Sequence, residues 1–317
     1  MADDHAAPSA RPGALPSAAP SDVNPALGFA ALALTIGTHG LVWPLARIGV
    51  QTMPPLWFGF TRMLSASIFL FILLAVLRKL RMPARQDIPT IIVLGVFMMG
   101  IFISLSHVGM VSVGSGRAAL LGYSTPLWVT PVAIVFLHER LGVFKAMGLA
   151  IGLSGLAILF NPLGFDWSDD AVVTGNALLL VAALTWSACI LYMRTRTYRL
   201  NTLQLAPWQL LAASAVLLVA ASVLEGDRSI EWTDRNIALV ALIGPFGTSV
   251  TFWALTTTMR YLPAITSSIG FLGVPVGITI SATVLFGEPL SFTHLAGLLV
   301  ITTGIALVVT AEAHERR

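Results

Sequence analysis

Fifteen carboxylates, six histidines and one cysteine are the groups with which this 317-residue chain could do acid–base, metal or nucleophilic chemistry. Their positions remove most of those options. No carboxylate falls in the middle of a long apolar stretch, whereas membrane proton relays usually keep one there. Strong proton coupling through Asp or Glu and intramembrane aspartyl proteolysis are therefore not expected. His138-Glu139 lacks the second histidine of a zinc protease helix, and neither a GxSxG elbow nor a P-loop is present. Cys189 stands alone inside an apolar stretch, so neither an intrachain disulfide nor a cysteine metal site can form. No catalytic constellation, cofactor or metal is expected, and without a P-loop the chain does not hydrolyse ATP itself.

What remains is binding chemistry inside apolar stretches. His39 and His107 could titrate near working pH or bridge helices by hydrogen bonds, and bridging is the commoner role. Trp43, Tyr123, Trp186, Trp253 and Phe271 could form an aromatic wall for flat or apolar substrates, with hydrogen bonds from Ser124, Ser267 and Ser268. For each of these, helix packing is the competing role. Arg62 and Arg117 could meet a substrate carboxylate, but snorkelling to headgroups or helix pairing is the expected role. Pro126 and Pro275 are expected in mid-helix, as hinges or fixed kinks. Glu139 and Glu288 follow the same two helices and could serve as gates or as caps of neighbouring helix ends.

The elements that position these residues follow from composition. The chain is 56% hydrophobic and only 10% charged, against roughly 25% charged for soluble domains. Apolar runs of about 20 residues, each enough to cross a bilayer, follow one another from Leu27 to Thr310. The expected fold is an all-α membrane protein of ten transmembrane helices, over 27–47, 56–77, 88–108, 114–136, 142–160, 173–193, 202–223, 236–258, 262–285 and 291–311. Residues 1–26 are rich in Ala, Pro and Ser and read as a disordered cytoplasmic tail. The pI of 9.4 does not signal nucleic acid, because the basic residues lie mainly in short connections between apolar runs. With the N-terminus inside, thirteen Lys and Arg fall on the inner side and only Arg228 and Arg235 on the outer. That bias predicts that both termini are cytoplasmic.

The two halves repeat. At an offset of 149, Leu94-Gly95 matches Ile243-Gly244, Met110 matches Met259, Pro126 matches Pro275 and Glu139 matches Glu288. Five helices per copy is an odd number, so the copies must be inverted, an arrangement that places substrate sites between repeats near the midplane. The expected units are 27–160 and 173–311.

Several segments resemble the ten-helix EamA-type branch of the drug/metabolite transporter superfamily. They are Gly40-Leu41-Val42-Trp43, Phe60-Thr61-Arg62, Gly116-Arg117-Ala118-Ala119-Leu120 and Leu137-His138-Glu139-Arg140-Leu141, then Leu184-Thr185-Trp186-Ser187 and Phe286-Gly287-Glu288-Pro289-Leu290. The resemblance implies a bacterial inner-membrane exporter working by alternating access on a small-molecule substrate such as an amino acid. The YddG-type exporters of aromatic amino acids are the sub-branch it suggests. The substrate would lie against the first, third, fourth, sixth, eighth and ninth helices. Efflux of toxic cations is the alternative within transport; a membrane enzyme or signalling subunit is the alternative outside it.

Overall fold

The computed structural model describes residues 24–160, 168–196, 199–287 and 292–315. Residues 1–23 of the expected tail and Glu288 lie outside the described residues, while Pro25 and Ala26 already belong to the first helix. Among those described, every regular element is helical. α1 spans Pro25–Thr52, capped by the Asn24 side chain on the Leu27 N–H, and the Met53-Pro54-Pro55 breaker ends it. α2 spans Pro55–Val76 with Pro at its first position, where no intrahelical donor is needed. α3 runs without interruption through Ile88–Ile91, a π-helical stretch Ile92–Ile101, and Phe102–Gly122. α4 is Thr125–Phe136 and α5 is Val143–Phe160.

The second half begins with α6, Asp170–Thr195, capped by Asp169. α7, Thr202–Leu224, opens on a capping box in which Asn201 and Gln204 bond each other's backbone N–H. α8 is Asp234–Leu242, a π-helical Ile243–Thr248, and Ser249–Tyr261. α9 is broken into Ala264–Gly270 and Gly273–Phe286, and α10 is Phe292–Glu315. Among the described residues, eight helical stretches are long and apolar enough to cross a membrane, and the shorter Thr125–Phe136 and Val143–Ile158 are apolar as well. Their outward surfaces carry Ile72, Val76, Val135, Phe136, Val219 and Leu299 in the open, which suits lipid and not water.

Two boundaries differ from the sequence expectation. The expected separation of 88–108 from 114–136 at Gly114-Ser115-Gly116 is absent; α3 continues to Gly122 and the break falls at Tyr123–Ser124. Pro126 is therefore not mid-helix but in the first turn of α4, and Pro275 is the third residue of the second part of α9. In an unbroken helix a proline ring collides with the carbonyl four residues back. Those carbonyls belong to Gly122 and Phe271, where the preceding helical segments end. The prolines place the breaks before them.

Helix pairs are held at both ends by polar contacts. At the end of the bundle where α1 begins, Glu139 receives the Ala264 and Ile265 backbone N–H groups at 2.8 and 3.0 Å and meets Arg194 at 3.6 Å. Beside it, Lys145 pairs with Glu312 at 2.7 Å and with Glu315, and the Thr266 hydroxyl donates to Glu312. At the opposite end Glu225 accepts from the N–H groups of Leu56 and Trp57, and the Thr52 hydroxyl donates to Asn236.

Between those ends the helices approach closely. α1 crosses α9 where Gly40 faces Gly277: a Cβ on Gly40 would stand 2.6 Å from the Gly277 backbone. The matched glycines Gly95 and Gly244 lie in the two π-helical stretches. One touches the backbone of Gln209 on α7, and the other touches Ser65 and the backbone of Arg62 on α2.

Candidate functional site

Arg62 is the residue around which the interior is organised. It sits in the eighth position of α2 and is 5% exposed, so of the two expected roles it does not snorkel but pairs helices. Its Nε donates to the Thr248 hydroxyl at 2.7 Å, and its Nη1 lies 3.4 Å from His107 Nε2. Thr248 is the last residue of the π-helical stretch in α8. The wide turn brings Gly244 against α2 and, four residues on, the hydroxyl against the guanidinium.

The tautomer of His107 follows from its two partners. Its Nδ1 is 3.1 Å from the Pro55 carbonyl, which can only accept. Nδ1 therefore carries the proton, and Nε2 offers its lone pair to the guanidinium. A neutral imidazole is what this geometry holds, stacked on Phe58 with ring centroids 5.4 Å apart. His107 is a bridge between α2 and α3. His39 has a comparable role in α1, with Nδ1 3.4 Å from the Tyr123 hydroxyl and the ring beside Trp186 at 6.0 Å.

Two adjoining cavities share His39, Arg62 and Ile103. One, of about 310 Å³, is also lined by Trp43, Phe102, Ser106 and His107; the other, of about 280 Å³, by Trp186, Thr248, Thr251 and Phe252. The aromatic wall is continuous: Trp43 lies 5.8 Å from Tyr123, and Phe102 meets Trp186 edge-on at 4.3 Å. Among the described residues no carboxylate comes within ion-pair distance of Arg62, and no group of acidic, histidine or cysteine side chains could hold a metal.

The lining helices are α1, α2, α3, α6 and α8. This differs from the expected set: α2 takes part, α4 and α9 do not, and Tyr123 at the α3–α4 break touches the lining residues His39 and Trp43 without lining either cavity itself. Ser267 and Ser268 are buried but bond the backbone of Leu262 and Ile265, next to or inside their own helix. Ser124 bonds Leu121 and receives the Trp128 indole N–H. Phe271 is core, and Trp253 is half-buried outside both linings. The side chain of Arg117 lies outside those described. The substrate role of Arg62 ranked second in the sequence because sequence alone does not tell which face α2 turns inward.

A family model described as the EamA-like transporter family matches residues 26–161 and again 173–310. The chain belongs to the EamA-like transporter family. Relatives within reach of direct comparison include the uncharacterized transporters YoaV and YvbV of Bacillus subtilis. They are 26% and 27% identical, over 84% and 90% of this chain and 91% and 92% of their own lengths. The uncharacterized inner membrane transporter YedA of Escherichia coli is 27% identical over 90% of this chain and 91% of its own length. A solved crystal structure, 18% identical, shares the fold with a TM-score of 0.73 over 88% of this chain and 98% of that one. This EamA-family chain is thus a multi-pass membrane transporter, and the cavity around Arg62 is its candidate substrate site.

Proposed function

We propose that this protein exports amino acids with aromatic or other large neutral side chains, or closely related small metabolites, across a bacterial inner membrane by alternating access. One observation carries the reading: the adjoining aromatic-lined cavities are built by α1, α2 and α3 from residues 26–161 and by α6 and α8 from residues 173–310, the two stretches the family model matches. Opposed movement of two such units would open those cavities to one side at a time. The units are 27–160 and 173–311, each of five helices, inverted with respect to each other. The similarity to YedA supports the inner membrane as the location.

Both termini are cytoplasmic in this reading, so Glu139, Arg194 and the Lys145–Glu312 pair close the cytoplasmic end around the first turn of α9. Glu139 is then a gate as well as a cap, and Glu288 is its counterpart after the ninth helix. The breaks before Pro126 and Pro275 are the places where α4 and α9 bend. His39 and His107, held as hydrogen-bond bridges, favour a facilitative carrier over a proton-coupled one.

The test is uptake into proteoliposomes of labelled phenylalanine, tryptophan, leucine and methionine, with and without an imposed pH gradient. Saturable flux indifferent to the gradient is expected. Flux that requires the gradient would return His39 and His107 to the role of relays. If folded protein moves no amino acid but does move lipophilic cations, the toxic-cation reading replaces this one. The aromatic wall favours that alternative, and the buried positive charge of Arg62 opposes it.

A further inference from the structure

We infer that Arg62, Ser106 and Thr251 form a carboxylate subsite in the central cavity, and that the solutes this carrier accepts are small monocarboxylates or zwitterions whose apolar part lies on Trp43, Phe102 and Trp186. The inference rests on the carrier reading above and adds the chemical group that the cavity requires.

Three independent features meet here. The first is charge. A guanidinium is permanently protonated, and Arg62 is buried with only a hydroxyl and a neutral imidazole as partners. A buried charge without a counter-ion is costly. A single carboxylate would supply the missing charge, and a guanidinium fork matches a carboxylate in geometry.

The second feature is fixed orientation. Thr248 from α8 and His107 from α3 hold the guanidinium at Nε and Nη1, leaving its other N–H groups for a guest. The third is a pair of hydroxyls. Ser106 Oγ lines the first cavity and Thr251 Oγ1 the second, both on side chains at most 3% exposed, and neither has a hydrogen-bond partner among the described residues. Buried hydroxyls seldom go unsatisfied. Each lines a cavity that Arg62 also lines, so each is a free donor for an anion that the guanidinium holds there.

The count of charges selects within the anions. One guanidinium balances one negative charge; a phosphate monoester would bring a second into the cavity with no second cation to meet it. An amine with no carboxylate would be repelled by Arg62. A zwitterionic amino acid is accepted because its carboxylate reaches Arg62 while its ammonium can rest on the aromatic faces.

Four matched probes test this: phenylalanine, 3-phenylpropionate, 3-phenylpropionamide and 3-phenylpropylamine. Binding is followed by quenching of tryptophan fluorescence in the detergent-purified protein, and flux in proteoliposomes. At least one carboxylate-bearing probe is expected to bind about tenfold or more tightly than the amide and the amine. Arg62→Gln is expected to erase that preference. Ser106→Ala and Thr251→Val, which remove unpartnered hydroxyls only, should weaken carboxylate binding severalfold and leave the amide unchanged, so the test survives if Arg62→Gln does not fold. The assignment is overturned if the amide or amine matches the carboxylates, or if the preference persists in folded Arg62→Gln. If none of the four binds while another solute is still transported, the carrier reading stands and the subsite falls. If folded protein neither binds nor moves any solute tried, the carrier reading falls with it.

Discussion

The Arg62–His107 contact decides how the interior treats charge. His107 accepts from Arg62 at Nε2 only because the Pro55 carbonyl holds the proton on Nδ1, and Pro55 is the residue that starts α2. The start of α2 and the buried cation eight residues along it are thus linked through a side chain of α3. Removing one partner of a buried charged hydrogen bond costs about 1.5–3 kcal/mol, whereas removing both can be nearly neutral. In a cycle of Arg62→Met, His107→Leu and the double variant, the two single changes should therefore cost more in total than the double. The expected coupling is about 1–2 kcal/mol in the apparent unfolding free energy of the purified protein. Strict additivity would show that the imidazole merely fills space beside Phe58. Little of this was legible in the sequence. His107 and Arg62 could each be singled out as polar residues in apolar runs, but 45 positions separate them, and nothing in a helix that is apolar all round says which face turns inward.

At the scale of elements, caps and breakers were readable because their physics is local. Asn24, Asp169 and the Asn201–Gln204 box start helices within three residues of the expected starts at 27, 173 and 202, and Met53-Pro54-Pro55 separates α1 from α2. Gly114-Ser115-Gly116 misled for the opposite reason. Glycine only weakens a helix, and the helix passes through it, while Pro126 acts on the carbonyl four residues earlier and ends α3 at Gly122. The breaks then fall at Tyr123–Ser124 and, in α9, at Phe271–Leu272, with the prolines as the cause, and in the proposed cycle these are the hinges. Neither proline occupies a position that needs an intrahelical N–H, so Pro126→Ala and Pro275→Ala should change stability by no more than about 1 kcal/mol. They would, however, let helix run across the breaks, straightening α4 and α9. Reduced flux at unchanged melting temperature is expected, most strongly in the double variant. Normal flux in folded single and double variants would mean that the bends are fixed features and that opening occurs elsewhere.

At the scale of the whole molecule, the strongest support for inverted repeats is the direction in which equivalent helices meet. The end of α7 at Glu225 touches the start of α2 at Leu56, and the start of α7 at Gln204 touches the end of α2 at Lys79. The start of α5 at Lys145 pairs with the end of α10 at Glu312, and the residue following α4, Glu139, caps the start of α9. In each pair the members are five helices apart and run in opposite directions, as an odd number of crossings per repeat demands. The indoles act alike: Trp57 donates to the Glu225 carbonyl and Trp208 to that of Arg81, each near the start of its helix. The contacts fix relative direction and leave absolute orientation to the charges, thirteen on the side expected to hold the N-terminus against two on the other. Two single-cysteine variants in a Cys189→Ser background separate the possibilities. Asp227→Cys, in the connection after α7, should react with a membrane-impermeant maleimide in intact spheroplasts, and Lys79→Cys, after α2, only once the membrane is permeabilised. The reverse pattern would invert the protein, put the Glu139–Arg194 contact outside and make the arrangement seen here one closed to the exterior. Labelling of both in intact spheroplasts would place α2 and α7 parallel across the bilayer, which the Glu225–Leu56 and Gln204–Lys79 contacts forbid, and would therefore overturn the packing itself.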